Sequence, residues 1–200
     1  MMQVALVDAG GANIGSVLFA LQRLGIEATL TSNADVIREA DRVILPGVST
    51  AAMVMGRLRE LELVETLRTL ERPLLGVCVG MQLLYERSEE GEVECLGLLP
   101  GTVAKLPANA AVRVPHMGWN TLQPLRASAL GEGIEAGDHA YFVHSYAAPV
   151  TDDCVFSSDH GVAFAAVVQR GRVAGAQFHP ERSSVVGARL LQNFLEHGLA

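Results

Sequence analysis

Half of the 200 residues are hydrophobic and 18% are charged, a composition typical of a globular chain and unlike that of a disordered one. The formal net charge of −7, without any run of Lys and Arg, argues against a nucleic-acid partner. The three cysteines are widely spaced, which excludes a disulfide framework and a paired metal site and predicts a cytoplasmic location. No apolar stretch reaches the roughly 18 residues of a membrane helix, and no basic leader precedes the first strand-like run. We therefore expect no membrane contact, no signal peptide, and a single domain spanning residues 1–200.

Apolar runs alternate with helical stripes in the first half of the chain. The runs that predict buried strands are Val4–Asp8, Glu27–Thr31, Arg42–Gly47 and Pro73–Cys78. The segments between and after them that predict helices are 14–24, 34–40, 52–70 and the run MQLLYER at 81–87. Strands that alternate with helices predict βαβ units and a mostly parallel sheet.

The pattern changes after Gly91. Short β-branched and aromatic runs with turns between them, from TVAKL to RVAGAQF, predict antiparallel strands. The chain closes on an amphipathic helix whose apolar stripe is Val186, Leu190, Leu191, Phe194 and Leu195. We therefore predict an α/β fold: an open, mostly parallel mixed sheet with helices on both faces and antiparallel strands in the C-terminal half. Ligands of such sheets bind at the carboxyl ends of the parallel strands, where Cys78 is expected.

The segment GVCVG places Cys78 between Gly76 and Gly80, at the expected junction of a strand and a helix. A sharp turn of this kind requires small residues two positions before and after the nucleophile, and it projects the nucleophile into a cleft. The free N–H groups at the start of the helix favour developing negative charge. The Val79 amide is then one candidate oxyanion donor, and the loop PGVST at 46–50 is a candidate source of a second. A packed cysteine at a tight turn is the alternative interpretation.

A thiol nucleophile requires a base, and the segment QFHPE at 177–181 offers one. Pro180 favours an extended conformation for His179. Residues i and i+2 of an extended chain face the same side, so Glu181 can fix the tautomer of the His179 ring. A surface turn that merely contains a His and a Glu is the alternative.

The remaining histidines and cysteines carry weaker signals. His144 alternates within a strand and suits a core or pocket histidine, whereas we expect His139, His160 and His197 to be exposed. Cys95 and Cys154 lack flanking glycines and are predicted to be packing residues.

Together these segments resemble a known family. PGV, GVCVGMQLL and FHPE, in this order and spacing, resemble the triad-type class I glutamine amidotransferases, whose sheet is flavodoxin-like. VDAGGANIGSVLFAL, VPHMGWN and YFVHSY are similar to one branch, the glutaminase subunits of imidazole glycerol phosphate synthase. The resemblance covers nearly the whole chain.

The resemblance implies specific roles. Cys78, His179 and Glu181 would form the catalytic triad that hydrolyses L-glutamine, with no metal and no cofactor. The oxyanion hole would comprise Val79, Gly47, Val48 and Ser49. The residues implied in glutamine binding are Gln82, Glu90, Ser145 and Tyr146. The implied partner is a (βα)8-barrel cyclase subunit that receives the ammonia, and the residues implied in its interface are Asn13, Trp119, Asn120 and Arg182.

The sequence departs from the family pattern at several positions. Ser49 replaces a glycine that usually closes PGVG, and a positive φ costs more for serine than for glycine. Ala9 and Ala12 alter the N-terminal loop, and Arg182 stands where lysine is common.

Three other functions share part of this pattern. Another class I glutaminase, such as one for pyridoxal phosphate or aminodeoxychorismate synthesis, would have the same triad and differ at PHMGWN and the N-terminal loop. A free-standing cysteine hydrolase, such as a γ-glutamyl peptidase, would be fully active without a partner. A non-catalytic binding subunit would retain an inactive site.

Overall fold

The computed structural model describes residues 2–10, 14–47, 49–110 and 112–199. The strands are β1 Val4–Val7, β2 Ala28–Thr31, β3 Arg42–Gly47, β4 Leu74–Cys78, β5 Tyr85–Ser88, β6 Val93–Glu94, β7 Leu99–Lys105, β8 His116–Thr121, β9 Gln123–Pro124, β10 His139–His144, β11 Tyr146–Ala147, β12 Cys154–Asp159, β13 Ala163–Arg170 and β14 Val173–Ala176. The helices are α1 Ile14–Arg23, α2 Ala34–Glu39, α3 Ala51–Glu60, α4 Val64–Arg68, α5 Val79–Gln82 and α6 Ser184–His197. Short 3₁₀ turns occupy Ala129–Gly131 and Pro180–Arg182. None of the helices in these ranges combines the length and apolar character needed to cross a bilayer.

The main sheet of the described chain has eight strands in the order β2-β1-β3-β4-β14-β13-β12-β9. The first five strands pair in parallel and the remaining three in antiparallel fashion. The parallel strands β1 and β4 are buried along their whole length, which is why they read as continuous apolar runs. The predicted mixed α/β sheet is thereby confirmed.

Strand β14 determines where the site forms. It lies between β4, to which it is parallel, and β13, to which it is antiparallel. Its register sets Gly175 beside Gly76 and Ala176 beside Val77. The chain therefore leaves β14 next to Cys78 and carries the QFHPE segment there, although about 100 residues separate the two in sequence.

Two predicted helices are wrong in extent. The run MQLLYER is not one helix, because α5 ends at Gln82 and β5 follows in a second sheet of order β11-β7-β5-β6. Backbone pairing outweighs helical propensity there, since the carbonyls of Leu83 and Leu84 accept N–H groups from residues 96, 98 and 99. The segment 52–70 splits into α3 and α4 at Glu62, whose φ of +56° ends α3 without a glycine.

A two-stranded ribbon of β8 and β10 completes the surroundings of the site. Its register sets Trp119 opposite Tyr141 and His116 opposite His144. Alternation along the ribbon buries His116 and His144 and exposes Met117 and Trp119. Helix α6 buries the apolar stripe predicted for it, with Val186 partly buried at its start.

Candidate active site

Cys78 lies at the carboxyl end of β4 in a strained turn. Its φ of +54° and ψ of −114° fall in a region that L-residues avoid. Gly80 is required because a Cβ there would lie 1.8 Å from the Leu45 carbonyl oxygen, and one at Gly76 would lie 2.5 Å from the Gly80 carbonyl oxygen. The two glycines thus allow α5 to pack directly against β3 and β4, and the thiol is held where the parallel strands end.

His179 and Glu181 meet as the extended geometry before Pro180 predicts. The His179 ring donates from Nδ1 to Glu181 Oε1 at 2.9 Å, and both side chains are almost completely buried. The backbone N–H of His179 donates to the Tyr141 carbonyl at 3.0 Å, which ties this turn to β10. The bond to Glu181 engages Nδ1 and leaves Nε2 of the ring for Cys78, whose side chain interacts with His179.

The electrostatics of His179 favour its protonated form. Burial alone lowers the pKa of the ring, but its interactions with Cys78 and Glu181 outweigh burial and raise the pKa to about 10. Cys95 and Cys154 show the opposite environment, since burial raises the pKa of each thiol to about 11. Both are buried packing residues, as the sequence predicts.

The candidate oxyanion residues surround the elbow. Val79 is the first residue of α5, and Gly47 of β3 is in register with Cys78. A Cβ at Gly47 would lie 2.7 Å from the Gly80 backbone nitrogen, so glycine is required for this approach. Ser49 is absent from the positive-φ residues of the described chain, and its hydroxyl donates to Met53 Sδ at 3.2 Å. Val48 lies outside the described residues.

The candidate glutamine-binding residues lie on α5, at the junction of β10 and β11, and next to the first turn of α3. Gln82 is 2% exposed and donates from Nε2 to the Tyr146 carbonyl at 2.8 Å, while its Oε1 is buried without a hydrogen-bond partner. Ser145 joins β10 to β11 and accepts the Leu106 N–H through its carbonyl. Glu90 Oε2 accepts the Ala51 N–H at 2.8 Å and so caps the first turn of α3, where a carboxylate is favourable.

The structure also brings buried polar residues to the site that sequence reasoning missed. Gln177 is completely buried and directs Nε2 at Cys78 Sγ, 3.9 Å away. Its position two residues before His179 in an extended segment is the signal that could have revealed it.

His116 Nδ1 donates to His144 Nε2 at 2.9 Å, and His160 stacks on His116 at 4.2 Å. The expectation that His160 is exposed is therefore wrong: it is half-buried, because the ring packs on His116 and donates to the Arg113 carbonyl. Across the described ranges, no group of three or more His, Cys, Asp and Glu side chains is arranged to hold a metal ion.

The candidate partner face lies on the ribbon beside the triad. Trp119 is 53% exposed, and its ring meets the Tyr141 ring edge-on at 5.8 Å. Asn120 is half-buried and turned inward, since its Nδ2 donates to the Asp159 carbonyl at 2.7 Å and to His116 Nε2 at 3.2 Å. Arg182 is exposed on the 3₁₀ turn that follows His179. Asn13 lies outside the described residues.

Sequence comparison identifies the relatives of this chain. Residues 5–197 match the class I glutamine amidotransferase family. The chain is 60% identical over 196 residues to the imidazole glycerol phosphate synthase subunit HisH of Xanthomonas axonopodis pv. citri, with 98% of both chains covered. It is 58% identical, with the same coverage of both chains, to the HisH subunit of Xylella fastidiosa strain Temecula1.

Solved structures agree on the fold. A glutamine amidotransferase crystal structure superposes with a TM-score of 0.75 at 22% identity, covering 96% of this chain and 97% of that one. A glutamine amidotransferase from Thermotoga maritima superposes with a TM-score of 0.65 at 18% identity, covering 98% of this chain and 81% of that one. At these identities the likeness establishes the fold alone, whereas the sequence relatives cover essentially full length. The chain belongs to the class I glutamine amidotransferases and, within them, to the family of HisH subunits of imidazole glycerol phosphate synthase.

Proposed function

We propose that this protein is the glutaminase subunit of imidazole glycerol phosphate synthase and supplies ammonia for histidine biosynthesis. The observation that carries the proposal is the thiol of Cys78 in a strained elbow, facing a buried His179 that Glu181 holds by a 2.9 Å hydrogen bond. The net reaction is glutamine plus water to glutamate plus ammonia. The full-length identity to HisH subunits supports this branch over other class I glutaminases, over a free cysteine hydrolase and over an inactive subunit.

In the first half-reaction Cys78 attacks the side-chain carboxamide carbon of glutamine. The sulfur–carbon bond forms, and the carbonyl oxygen takes up negative charge beside the Val79 N–H. A second donor comes from the Gly47–Ser49 loop, with Val48 as a candidate. His179 holds the proton that the departing nitrogen needs, consistent with a pKa raised to about 10. Ammonia leaves, and a γ-glutamyl thioester remains on Cys78.

In the second half-reaction His179, now neutral, takes a proton from water while the water oxygen attacks the thioester carbon. The carbon–sulfur bond breaks, glutamate leaves, and the proton returns to the Cys78–His179 pair. Glu181 stays ionised through both steps and fixes the ring tautomer.

Gln82, Glu90, Ser145 and Tyr146 hold the substrate. The buried and unpartnered Oε1 of Gln82 supports this assignment, because a buried acceptor without a donor is costly and glutamine carries donors in its ammonium and its amide. Glu90 supplies the negative charge that the substrate ammonium requires.

The ammonia passes to a (βα)8-barrel cyclase subunit that docks on the face bearing Asn13, Trp119, Asn120 and Arg182. The exposed Trp119 supports this assignment, since a large aromatic side chain on a surface is a frequent anchor of an interface. The cyclase consumes the ammonia and the ribulosyl form of a formimino-aminoimidazole carboxamide ribonucleotide. It releases imidazole glycerol phosphate and an aminoimidazole carboxamide ribonucleotide.

We further propose that residues 1–200 act as one glutaminase domain in the cytoplasm, where its buried free thiols stay reduced.

The test is glutamate release from glutamine by the chain alone, with the cyclase subunit of the same organism, and with cyclase plus its ribonucleotide. We expect the highest rate in the full mixture, loss of that rate in Cys78→Ala, and retention in the matched Cys95→Ala control. A rate that is indifferent to cyclase and nucleotide would contradict the assignment to this synthase. A full rate in Cys78→Ala would contradict the triad.

A further inference from the structure

The carbonyl oxygen of Tyr146 sets the direction of the hydrogen bonds that lead to the Cys78 thiol. It accepts from Gln82 Nε2 at 2.8 Å and from His144 Nδ1 at 2.8 Å. Both donors are buried, at 2% and 6% exposure. Because a backbone carbonyl can only accept, the amide of Gln82 must present its nitrogen to Tyr146, and the reversed orientation of that amide would set two acceptors against each other.

The orientation of the Gln82 amide determines the orientation of the Gln177 amide. The same Gln82 nitrogen donates its second hydrogen to Gln177 Oε1 at 3.0 Å. The oxygen of Gln177 is thereby fixed as an acceptor, and its Nε2 must face Cys78 Sγ, 3.9 Å away. Gln177 is 0% exposed, so its amide has no access to bulk water.

The sulfur has two different polar neighbours besides His179. The Val143 carbonyl oxygen lies 3.8 Å from the sulfur and can accept only from the protonated thiol. Once the proton has passed to His179, the Val143 oxygen has no donor to accept, whereas the Gln177 N–H faces a negative sulfur. Hydrogen bonds to charged groups are the stronger class.

We propose that Gln177 is a positioning residue for the nucleophile: the Tyr146 carbonyl, acting through Gln82, holds the Gln177 amide with its N–H toward Cys78 and so favours the sulfur in its attacking form. The inference rests on the proposed function only in taking Cys78 as the nucleophile. The role proposed for Gln177 is exerted on the sulfur of Cys78.

The experiment measures alkylation of Cys78 by iodoacetamide at fixed pH, without glutamine or cyclase, by peptide mass spectrometry. Gln177→Met keeps the length of the side chain and removes the N–H, and Gln177→Glu replaces the N–H with an oxygen. We expect Gln177→Met to lower the second-order rate constant about three- to tenfold, which is less than a hydrogen bond of ordinary length to a charged group would give, because this contact is long. Gln177→Glu lowers it at least as much.

The matched control is Asn193→Asp, which makes the same amide-to-acid change at another buried side chain. Asn193 lies on α6 and donates to the carbonyls of Leu130 and Glu132. We expect it to leave Cys78 alkylation unchanged. A merely structural role for Gln177 would loosen the core and expose Cys95 and Cys154 to alkylation, and we expect both to stay unmodified in the Gln177 variants.

A second variant keeps the test decisive if the Gln177 variants do not fold. Gln82→Met frees the Gln177 amide to rotate, so alkylation of Cys78 should fall by a smaller factor than in Gln177→Met. Folded Gln177 variants that react within twofold of wild type would overturn the proposal, and so would an unchanged rate in Gln82→Met. A wild type that releases no glutamate but shows the expected alkylation pattern would refute the proposed function and leave this inference standing.

Discussion

Acidification should destabilise this protein through the buried pair His116 and His144. In the neutral pair every ring nitrogen is used: His144 donates from Nδ1 to the Tyr146 carbonyl, and its Nε2 accepts from His116 Nδ1 at 2.9 Å. His116 Nε2 in turn accepts from Asn120 Nδ2 at 3.2 Å. A proton added to His144 Nε2 would face the N–H of His116, so the packed pair resists a charge.

The size of the loss in free energy of unfolding follows from the pKa values of the two rings. Burial, the largest cause, lowers the pKa of His144 to about 3 and that of His116 to about 4, from an ordinary 6.5, and the charge of His160 acts in the same direction on both. Below pH 6.5 these two rings therefore bind more protons in the unfolded chain than in the folded one. The free energy of unfolding consequently decreases as the pH decreases. Each pH unit is worth about 1.4 kcal/mol per ring, which gives a loss of about 2–4 kcal/mol at pH 5 for the coupled pair.

The raised pKa of His179 does not add to the change in stability between pH 5 and 6.5. Its pKa is raised in the fold to about 10, so its stabilising contribution is complete below pH 6.5 and is lost only as the pH rises toward 10. The acid-side slope of stability between pH 6.5 and 5 therefore belongs largely to His116 and His144.

Urea unfolding between pH 5 and 7.5 at constant ionic strength measures this slope. His144→Phe keeps a ring in the core and removes one titrating group, so we expect the slope to fall to about half. His139→Gln, which changes an exposed histidine at the start of the same strand, should keep the full slope. A wild-type free energy of unfolding that is the same at pH 5 and 6.5, or an unchanged slope in His144→Phe, would refute the reasoning.

Three further predictions concern the elbow and the triad. Cys78→Gly should be more stable to urea than Cys78→Ala by about 1–2 kcal/mol, because glycine tolerates the φ of +54°; equal stabilities would contradict the strain. Gly80→Ala should cost at least about 3 kcal/mol or prevent folding, because its Cβ would lie 1.8 Å from a backbone oxygen, whereas Gly15→Ala, with open space around it, should not destabilise. Glu181→Gln should lower the pKa of His179 from about 10 in an NMR titration and reduce glutamate release about 10²-fold or more; an unmoved pKa would show that the carboxylate does not hold the ring.

The parts of the site that sequence predicts are those fixed by local geometry. The glycines around Cys78 follow from the tightness of a strand-to-helix turn, and the contact of His179 with Glu181 follows from the alternation of an extended chain before proline. The position of the QFHPE segment beside Cys78 also follows, once both are placed at strand ends of one sheet.

The parts that sequence does not predict are set by tertiary pairing. Helix α5 stops at Gln82 because residues 83–88 give their backbone groups to the second sheet, and no propensity signals that competition. His160 is polar by sequence yet stacks on His116, because β8 and β12 converge only in the folded chain. The orientation of the Gln177 amide depends on a backbone carbonyl that lies 31 residues earlier in the chain, which no local pattern encodes.

The hydrogen-bonded polar groups around Cys78 also connect the geometry of the site to the cooperativity of folding. They come from β4, α5, β10, β11 and the segment after β14, and the full set of hydrogen bonds forms only when all of these elements are in place. A partly assembled core would bury at least one of the amides of Gln82 and Gln177 without a partner, at about 1–3 kcal/mol for each. Partly folded chains with a misplaced thiol are thereby disfavoured. The interactions that orient Cys78 are consequently among those that exclude alternative packings of this half of the molecule, and a variant that relaxes them should lose reactivity and cooperativity together.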